Sequence, residues 1–327
     1  MTIVPPQPDE PRRPDGPRDS GDAWVVAESG ERYWGRYGAA GLLAYDPDRG
    51  VLLQHRVSWS HFGGTWALPG GALHEDESAL DGALREAQEE AGIPDGAVRA
   101  RFASVHDIGI WSYTTVVADV IEAFEPVISD PESVALEWVP VAEVGDLPLH
   151  PGFAEAWKTL RDLLDVRPVV VVDAANVVGS KPDGWWKDRA GAAARLRARV
   201  EAWARGGVPA SALGLGCDRW YPPVSFVVEG AAKRVADDVS GEELATALAG
   251  MPVGPAGSGS GRIARVTTVR APGHGDDAIV VEVQRLLDAG YRATLVTSDR
   301  GLRERTEHIG AHVDSAAWLL GQLPPAR

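Results

Sequence analysis

The chain has 327 residues, of which 44% are hydrophobic, and its net charge is −15. This length exceeds that of an ordinary single domain, so we expect two globular domains with normal hydrophobic cores. Residues 1–165 hold 12 basic and 29 acidic side chains, a charge of −17, and residues 166–327 hold 20 and 18, a charge of +2. The field of the acidic first half should not attract long nucleic acid, whereas the second half is compatible with it.

One cysteine, Cys217, excludes an internal disulfide framework and is typical of a reducing compartment. No apolar run approaches the roughly 18 residues that a membrane span needs. The amino terminus lacks the charged-then-apolar order of a signal peptide. These features predict a cytoplasmic protein with no membrane partner.

Residues 1–22 are mostly Pro, Asp, Arg and Gly, which predicts a disordered tail before a first domain at residues 23–165. Two apolar runs flank Pro47-Asp-Arg-Gly50 and predict a β-hairpin. A loop at residues 58–65 follows. Further strands are predicted within 98–124 and at 133–140, and an amphipathic helix at 152–164 closes this part of the chain.

The most informative stretch runs from Gly70 to Ile93 and reads GGALHEDESALDGALREAQEEAGI. Its second part, from Ser78 to Ala91, consists mostly of strong helix formers, and a glycine follows as a helix stop. Glu86, Glu89 and Glu90 stand at i, i+3 and i+4, so their carboxylates share one helix face. Three such anions repel one another unless a cation lies between them, and Mg²⁺ or Mn²⁺ is the expected one.

This spacing resembles the Nudix box, with Gly71, Glu77 and Arg85-Glu86 in their places and Ala87 where a larger aliphatic residue is usual. A solvated acidic helix would require neither the arginine nor the flanking glycines. The resemblance implies an α/β/α sandwich with a mixed sheet. It also implies hydrolysis of a nucleoside diphosphate that is linked to another group, such as a nucleoside triphosphate, an oxidised deoxynucleotide or another nucleotide derivative.

The resemblance also implies roles for single residues of the box. Glu89, Glu90 and the Gly70 carbonyl would hold the metal, and Glu86 would be a further ligand or the general base. Arg85 belongs to the same catalytic set, as the residue that orients Glu77 and is oriented by it.

Other parts of this site stay open at the level of sequence. A late carboxylate often assists in such enzymes, and the sequence does not choose between Glu132 and Glu137. Tyr33, Trp34 and Tyr37 are candidates for stacking on a base, although such a cluster is more often core or rim.

The second domain is predicted at residues 166–327. The run VVVVD ending at Asp173 is typical of a buried parallel strand whose carboxyl end opens a site. Helices and strands then alternate, with a helix predicted at 241–249 and a loop at 252–261. This pattern predicts a doubly wound, Rossmann-like α/β domain.

Acidic side chains follow several of these strands, and the carboxyl ends of parallel strands converge on one crevice. The order VVDxxN, an acidic strand end, a DD helix start and TSD resembles PIN-like/NYN ribonuclease domains. The resemblance implies that Mg²⁺ or Mn²⁺ is held for RNA hydrolysis by four aspartates: Asp173, Asp276, Asp277 and Asp299. Asn176 would position a ligand or a phosphate, and Glu229 departs from the usual aspartate. Each aspartate alone is equally well explained as a helix N-cap.

Two other functions remain open. The chain could be a nucleotide-sensing or assembly protein whose second domain is an inactive scaffold. It could instead be an RNA-processing enzyme that removes a 5′-terminal pyrophosphate. RNA is the expected macromolecular partner of the second domain, and a homodimer is left open.

Overall fold

The computed structural model describes residues 1–5, 20–129, 131–181, 184–235 and 265–324. These residues form two compact units. Residues 1–164 belong to the first unit, together with 216–219, and the rest of the described chain belongs to the second. The division after Leu164 lies one residue from the expected domain boundary.

Among its described residues, the first unit contains ten strands and two α-helices. In chain order they are β1 (Thr2–Val4), β2 (Trp24–Val26), β3 (Arg32–Trp34), β4 (Ala39–Asp46), β5 (Gly50–Arg56), β6 (Trp66–Ala67), β7 (Gly70–Ala72), α1 (Ala79–Ala91), β8 (Val98–Asp107), β9 (Ser112–Val120), β10 (Ser133–Val139) and α2 (Pro151–Leu163).

A mixed sheet forms the centre of this unit, in the order β10-β5-β4-β9-β8. Strand β4 runs parallel to β9 and antiparallel to β5 and β7, and β8 runs antiparallel to β9. Seven of the eight residues of β4 are buried, because the strand lies in the middle of the sheet. The predicted hairpin and the mixed sheet are therefore present.

Helix α1 packs on β4, β7 and β9 and carries the acidic residues of the box. Ser78 caps its start by accepting a hydrogen bond from the Asp81 amide. Gly92 ends it in the left-handed conformation at φ 64°, which a glycine adopts without a steric penalty. The buried face includes Glu86 and Glu90 beside three alanines, so two carboxylates are drawn into the interior.

The amino terminus differs from the predicted disordered tail. Strand β1 pairs with β2, and β2 pairs with β3, in a small antiparallel sheet. Thr2–Val4 is thus ordered by backbone pairing, a long-range partner that local composition does not reveal. The expected tail over residues 6–19 lies outside the described residues.

The second unit supplies most of the remaining elements. They are β11 (Pro168–Asp173), α3 (Ala174–Gly179), α4 (Arg189–Gly206), β12 (Val208–Pro209), β13 (Arg219–Trp220), β14 (Val224–Val228), β15 (Val266–Arg270), α5 (Gly275–Asp288), β16 (Arg292–Val296), α6 (Arg300–His308), β17 (His312–Asp314) and α7 (Ala316–Gln322).

Five of these strands form a parallel sheet in the order β15-β14-β11-β16-β17. Alternate residues of β11 enter two different cores. Val170 and Val172 pack with α3, α4 and α7, whereas Val169 and Val171 pack with α5 and α6. The sheet is therefore covered by helices on both faces, which explains why its central strand is a continuous valine run.

Four short elements of the second unit, α3, β12, β13 and β17, are absent from the sequence prediction because each has too few residues to show a period. The helix predicted at 241–249 and the loop at 252–261 lie outside the described residues. In the described part of the chain, no helix is long and apolar enough to cross a membrane.

Candidate functional site

Arg85 is the centre of a hydrogen-bond network on α1. Its guanidinium donates to both carboxylate oxygens of Glu77, at 2.8 and 2.9 Å, and to Oε1 of Glu86 at 2.7 Å. A fourth hydrogen bond reaches the Ala72 carbonyl at 3.0 Å. Burial alone would raise the pKa of Glu77, but the hydrogen bonds from Arg85 and the His74 amide outweigh it and lower that pKa. Arg85 therefore holds the Gly-rich segment and the helix together.

Glu90 occupies a different environment, since it is only 4% exposed. Its Oε2 accepts a hydrogen bond of 2.8 Å from the Gly70 amide. Burial raises the pKa of Glu90 well above its usual value, and the negative charges of Glu86 and Glu132 add to this rise. The ionised form of Glu90 is thus disfavoured by its surroundings, and a cation beside it would favour that form.

The glycines of the box make room for these carboxylates. A Cβ on Gly71 would lie 2.7 Å from three atoms of the Glu86 carboxylate group. A Cβ on Gly82 would lie 2.3 Å from Leu73 and 3.0 Å from Glu77 Oε2. A side chain at either position would displace a carboxylate or the residue that packs beside it, which explains why glycine is needed there.

Oxygen donors suited to a hard divalent cation are present on α1, because Glu86 and Glu90 are buried neighbours and Glu89 lies one turn from Glu86. Their chemistry fits Mg²⁺ or Mn²⁺. Throughout the described residues, however, no three His, Cys, Asp or Glu side chains stand close enough together to hold a metal ion. In this arrangement Arg85 donates a hydrogen bond to Glu86, and the Gly70 amide donates one to Glu90.

The structure separates the two candidates for the late carboxylate. Glu132 is half-buried, contributes to the raised pKa of Glu90, and forms an ion pair of 3.8 Å with Arg56. Glu137 is exposed on β10. Arg56, at the end of β5, also lowers the pKa of Glu90, so a cationic residue that the sequence analysis missed faces the acidic site.

An aromatic loop follows Arg56. The Arg56 side chain donates to the His61 carbonyl at 3.3 Å, and the ring of His61 lies 4.3 Å from that of Phe62. Phe62 is 46% exposed and has a left-handed backbone at φ 55°, an uncommon conformation for a residue with a side chain. Its ring contacts His150 at 4.7 Å. Burial and the Arg56 charge lower the pKa of His150 to about 4, so this imidazole is neutral at neutral pH.

The aromatic residues predicted to stack on a base have partners within the fold. Tyr33 stacks on Trp111 with ring centroids 4.9 Å apart, and Trp34 meets the edge of Trp24 at the same distance. The guanidinium of Arg36 lies 5.4 Å from the Tyr37 ring. These contacts describe a packed rim. The loop at His61 and Phe62 is a further aromatic surface. The adjacent histidine and phenylalanine in the loop after Arg56 are the sequence feature from which this surface could have been predicted.

A second candidate site lies at the carboxyl end of the parallel sheet. A cavity of ≈ 430 Å³ is lined by most of the predicted acidic and amide residues, namely Asp173, Asn176, Glu229, Asp276 and Asp299. Asp173 is 7% exposed and accepts hydrogen bonds from the Asn176 amide and the Thr297 hydroxyl. Burial raises the pKa of Asp173, and Asp276 and Glu229 contribute to the rise.

The other predicted site residues of this unit differ in the contacts that their side chains make. Asp277 does not line the cavity and instead forms an ion pair of 2.7 Å with Arg305. Asp299 caps α6 through the Leu302 amide, as the helix-cap alternative predicts, yet it still lines the cavity. The Asn176 side chain accepts a hydrogen bond from the Ser298 amide at 2.8 Å. Asp277 is therefore the one predicted ligand that the structure places away from the others.

Comparison with known proteins identifies relatives of the first unit. The family model called NUDIX domain matches residues 35–163. A candidate 8-oxo-dGTP diphosphatase of Mycobacterium tuberculosis is 53% identical over 154 residues, which are 44% of this chain and 70% of that protein. A nucleoside triphosphate pyrophosphatase/Nudix hydrolase fusion protein of Bifidobacterium longum is 39% identical over 44% of this chain and 32% of its own length.

Among solved structures, a Nudix hydrolase from M. smegmatis is similar to part of this chain. It is 49% identical, and the match covers 44% of this chain and 94% of that one, with a TM-score of 0.40.

Proposed function

This chain belongs to the Nudix family, and we propose that its first unit is a Mg²⁺- or Mn²⁺-dependent pyrophosphohydrolase of nucleoside triphosphates. Oxidised guanine nucleotides are the substrate class that we favour, since a relative with 53% identity is named for 8-oxo-dGTP. The observation that carries the proposal is the carboxylate set around Arg85. It combines a charged Glu77–Arg85–Glu86 network with a buried Glu90 whose ionised form needs a cation.

The residues of the site have separate tasks in this proposal. Glu86, Glu89 and Glu90 are the metal-binding carboxylates, with the Gly70 carbonyl as a further oxygen donor. A bound divalent ion would polarise a phosphate oxygen and lower the pKa of water. Arg85 and Glu77 are positioning residues, because they hold the helix against the segment at Ala72.

The chemistry requires that water attack one phosphorus, that the anhydride P–O bond break, and that the water proton pass to a base. Glu86 is the ligand or base in this scheme, with Oε1 held by Arg85. Glu132, the residue before β10, assists from a position beside Arg56.

In this proposal the substrate is oriented by the charge of Arg56 and by the rings of His61 and Phe62. Arg56 would meet phosphate oxygens, and the loop at His61 and Phe62 would contact the base. His61 has a lowered pKa because of burial and the charges of Arg56 and Arg32, so it presents a neutral ring there.

The first test is a substrate panel with Mg²⁺ or Mn²⁺. It contains dGTP, 8-oxo-dGTP, dinucleoside polyphosphates and ADP-ribose, with products followed for wild type and for Glu90→Gln. The matched control is Glu137→Gln, which removes an exposed carboxylate from β10. We expect release of pyrophosphate from one class, loss of at least about 100-fold in kcat for Glu90→Gln, and no change for the control. Ligand-induced stabilisation without turnover would instead support the sensing function.

A second function is proposed for the other unit because one cavity is lined by five residues that the sequence predicts for a site. We propose that this doubly wound, PIN-like/NYN domain holds Mg²⁺ or Mn²⁺ through Asp173, Asp276 and Asp299 and hydrolyses RNA. Asp277 would serve only by stabilising the start of α5.

Cleavage of labelled RNA by the full chain tests this second proposal. Asp173→Asn should abolish cleavage, and Asp288→Asn, at the far end of α5, should not. Wild-type protein without cleavage activity would support the scaffold alternative. Release of pyrophosphate from 5′-triphosphorylated RNA by the first unit would instead support the RNA-processing alternative.

A further inference from the structure

Two adjacent tryptophans stand at the surface of the second unit. Trp185 and Trp186 form a single 3-10 turn with Lys187, ahead of α4. Their rings lie 6.1 Å apart between centroids and are nearly perpendicular, at 82°. Trp186 is 55% exposed, whereas Trp203 and Trp220 of the same unit are 2% and 0% exposed. An indole in water is costly by comparison with a buried one, which distinguishes this pair from the core tryptophans.

The pair lies beside the carboxylate-lined cavity. Gly179 and Ser180, at the end of α3 and just after it, line that cavity together with Asp173 and Asn176. A Cβ placed on Gly179 would lie 3.9 Å from the Trp185 ring, which is van der Waals contact. The indole of Trp185 therefore borders the wall of the cavity, and the exposed Trp186 is the neighbour of Trp185.

Cationic side chains lie near the tryptophan pair in space or in sequence. The guanidinium of Arg189 lies 5.4 Å from the centre of the Trp185 ring. Lys181 and Lys187 are exposed on either side of the pair in sequence. The nearby carboxylate of Asp188 is engaged as the cap of α4, through a hydrogen bond of 2.9 Å from the Gly191 amide. The surface thus offers flat apolar rings among positive charges.

We propose that Trp185 and Trp186 form a stacking subsite for unpaired bases of a single-stranded nucleic acid. Aromatic rings accept the face of any base, and cations beside them meet the phosphates. A base pair within a duplex hides both of its faces, so a duplex would not use this subsite. The proposal goes beyond the pyrophosphohydrolase, and it concerns binding alone, so it does not require that the cavity cleave the strand.

The ligand would run past the cavity rather than enter it as a free nucleotide. Two rings offer contact for more than one base, and exposed cations occur in the chain on both sides of them, at Lys181, Lys187 and Arg189. A strand bound here would bring a phosphodiester near Gly179 and Ser180, which line the cavity. A mononucleotide would use only part of this surface.

Fluorescence anisotropy with the full chain tests the proposal. The probes are labelled single strands of about 10 nucleotides, in RNA and DNA forms, and a duplex of the same sequence, all in EDTA so that neither unit cleaves them. We expect the wild type to bind a single strand at least about tenfold more tightly than the duplex. Trp186→Ala should weaken that binding by about tenfold or more, and Trp186→Phe should retain most of it. Comparison of the affinities for the RNA strand and the DNA strand shows which nucleic acid the subsite prefers.

Matched controls separate stacking from general charge or apolar effects. Trp186→Leu keeps apolar area but not the ring face, and it should behave as Trp186→Ala does. Arg189→Ala should weaken binding, whereas Arg292→Ala should not, because Arg292 begins β16 and the cavity lies at the other, carboxyl end of the parallel strands. The proposal is overturned if Trp186→Ala binds the strand as wild type does. It is equally overturned if wild type binds no strand at low salt, if the duplex binds as tightly, or if a mononucleotide competes as well as a strand.

Discussion

Glu90→Gln tests the electrostatic description of the active site through the stability of the protein. Glu90 is almost fully buried, and burial together with Glu86 and Glu132 raises its pKa in the folded state. In the unfolded chain this carboxyl titrates near its usual pKa of about 4.3. Between the two pKa values the folded state binds the additional proton, so stability falls as pH rises through this window. The glutamine variant has no such proton and escapes the fall.

The size of the effect follows from the linkage relation. Within the window, the free energy of unfolding of wild type decreases by up to about 1.4 kcal/mol per pH unit relative to the variant. For a unit of this size, 1 kcal/mol corresponds to roughly 2–4 °C in melting temperature. We therefore expect Glu90→Gln to gain up to about 3–6 °C on wild type for each pH unit above the usual carboxyl pKa. The gain stops once pH exceeds the pKa of Glu90 in the folded state.

Differential scanning calorimetry of the full chain, from acidic to mildly alkaline pH and in EDTA, measures this difference. Glu89→Gln is the matched control, since it removes a charge from the same helix where the side chain is 39% exposed. That variant retains Glu90, so its stability should fall with pH as that of wild type does. The reasoning fails if Glu90→Gln melts below wild type throughout, or if the difference between them does not change with pH. When Mg²⁺ replaces EDTA, it should raise the melting temperature of wild type more than that of Glu90→Gln, because the variant lacks a carboxylate that would bind the ion.

Three further outcomes are expected for the first unit. Gly71→Ala should weaken Mn²⁺ binding about tenfold in a titration, because its Cβ would displace the Glu86 carboxylate. The control Gly145→Ala should leave Mn²⁺ binding unchanged, because a Cβ at Gly145 would meet only open space. Arg85→Lys should cost about 2 kcal/mol in urea unfolding, since an ammonium cannot make both hydrogen bonds to Glu77; equal stability would contradict the network. Glu132→Gln should lower kcat about tenfold while Glu137→Gln should not, and the reverse result would reject Glu132 as the assisting carboxylate.

The box could be predicted from sequence because its geometry is local. Three glutamates at i, i+3 and i+4 share a helix face wherever the helix lies, and Ser78 and Gly92 mark its ends. The spacing from Glu77 to Arg85 also brings two side chains together through a single turn and helix. No distant part of the chain is needed to form this part of the site.

The residues that face the box from elsewhere could not be predicted in the same way. Arg56 and Glu132 meet because β5 and β10 are neighbours in the sheet and Arg56 is paired with Ser133, the residue after Glu132. The pairing register thus decides whether Glu132 or Glu137 approaches Glu90. A shift of one residue would turn these side chains to the other face. Likewise, β1 is ordered by pairing with β2, although the composition of residues 1–22 as a whole predicts disorder.

The second cavity represents an intermediate case. Its acids are far apart in sequence, yet their convergence follows from one topological rule, that residues after parallel strands meet at the same edge of the sheet. The rule predicts that Asp173, Glu229 and Asp299 lie at one cavity, and all three line it, because the first ends β11, the second directly follows β14 and the third closely follows β16. It does not decide the direction of a side chain on the helix that comes next. Asp276 and Asp277 are neighbours in the first turn of α5, and successive residues of a helix point about 100° apart, so only one of them can face the cavity. Asp276 has that direction, and Asp277 reaches Arg305 on α6 instead. The aspartate pair therefore contributes one carboxylate to the cavity and one ion pair to the packing of two helices, and Asp277→Asn should affect the stability of the second unit more than any binding at the cavity.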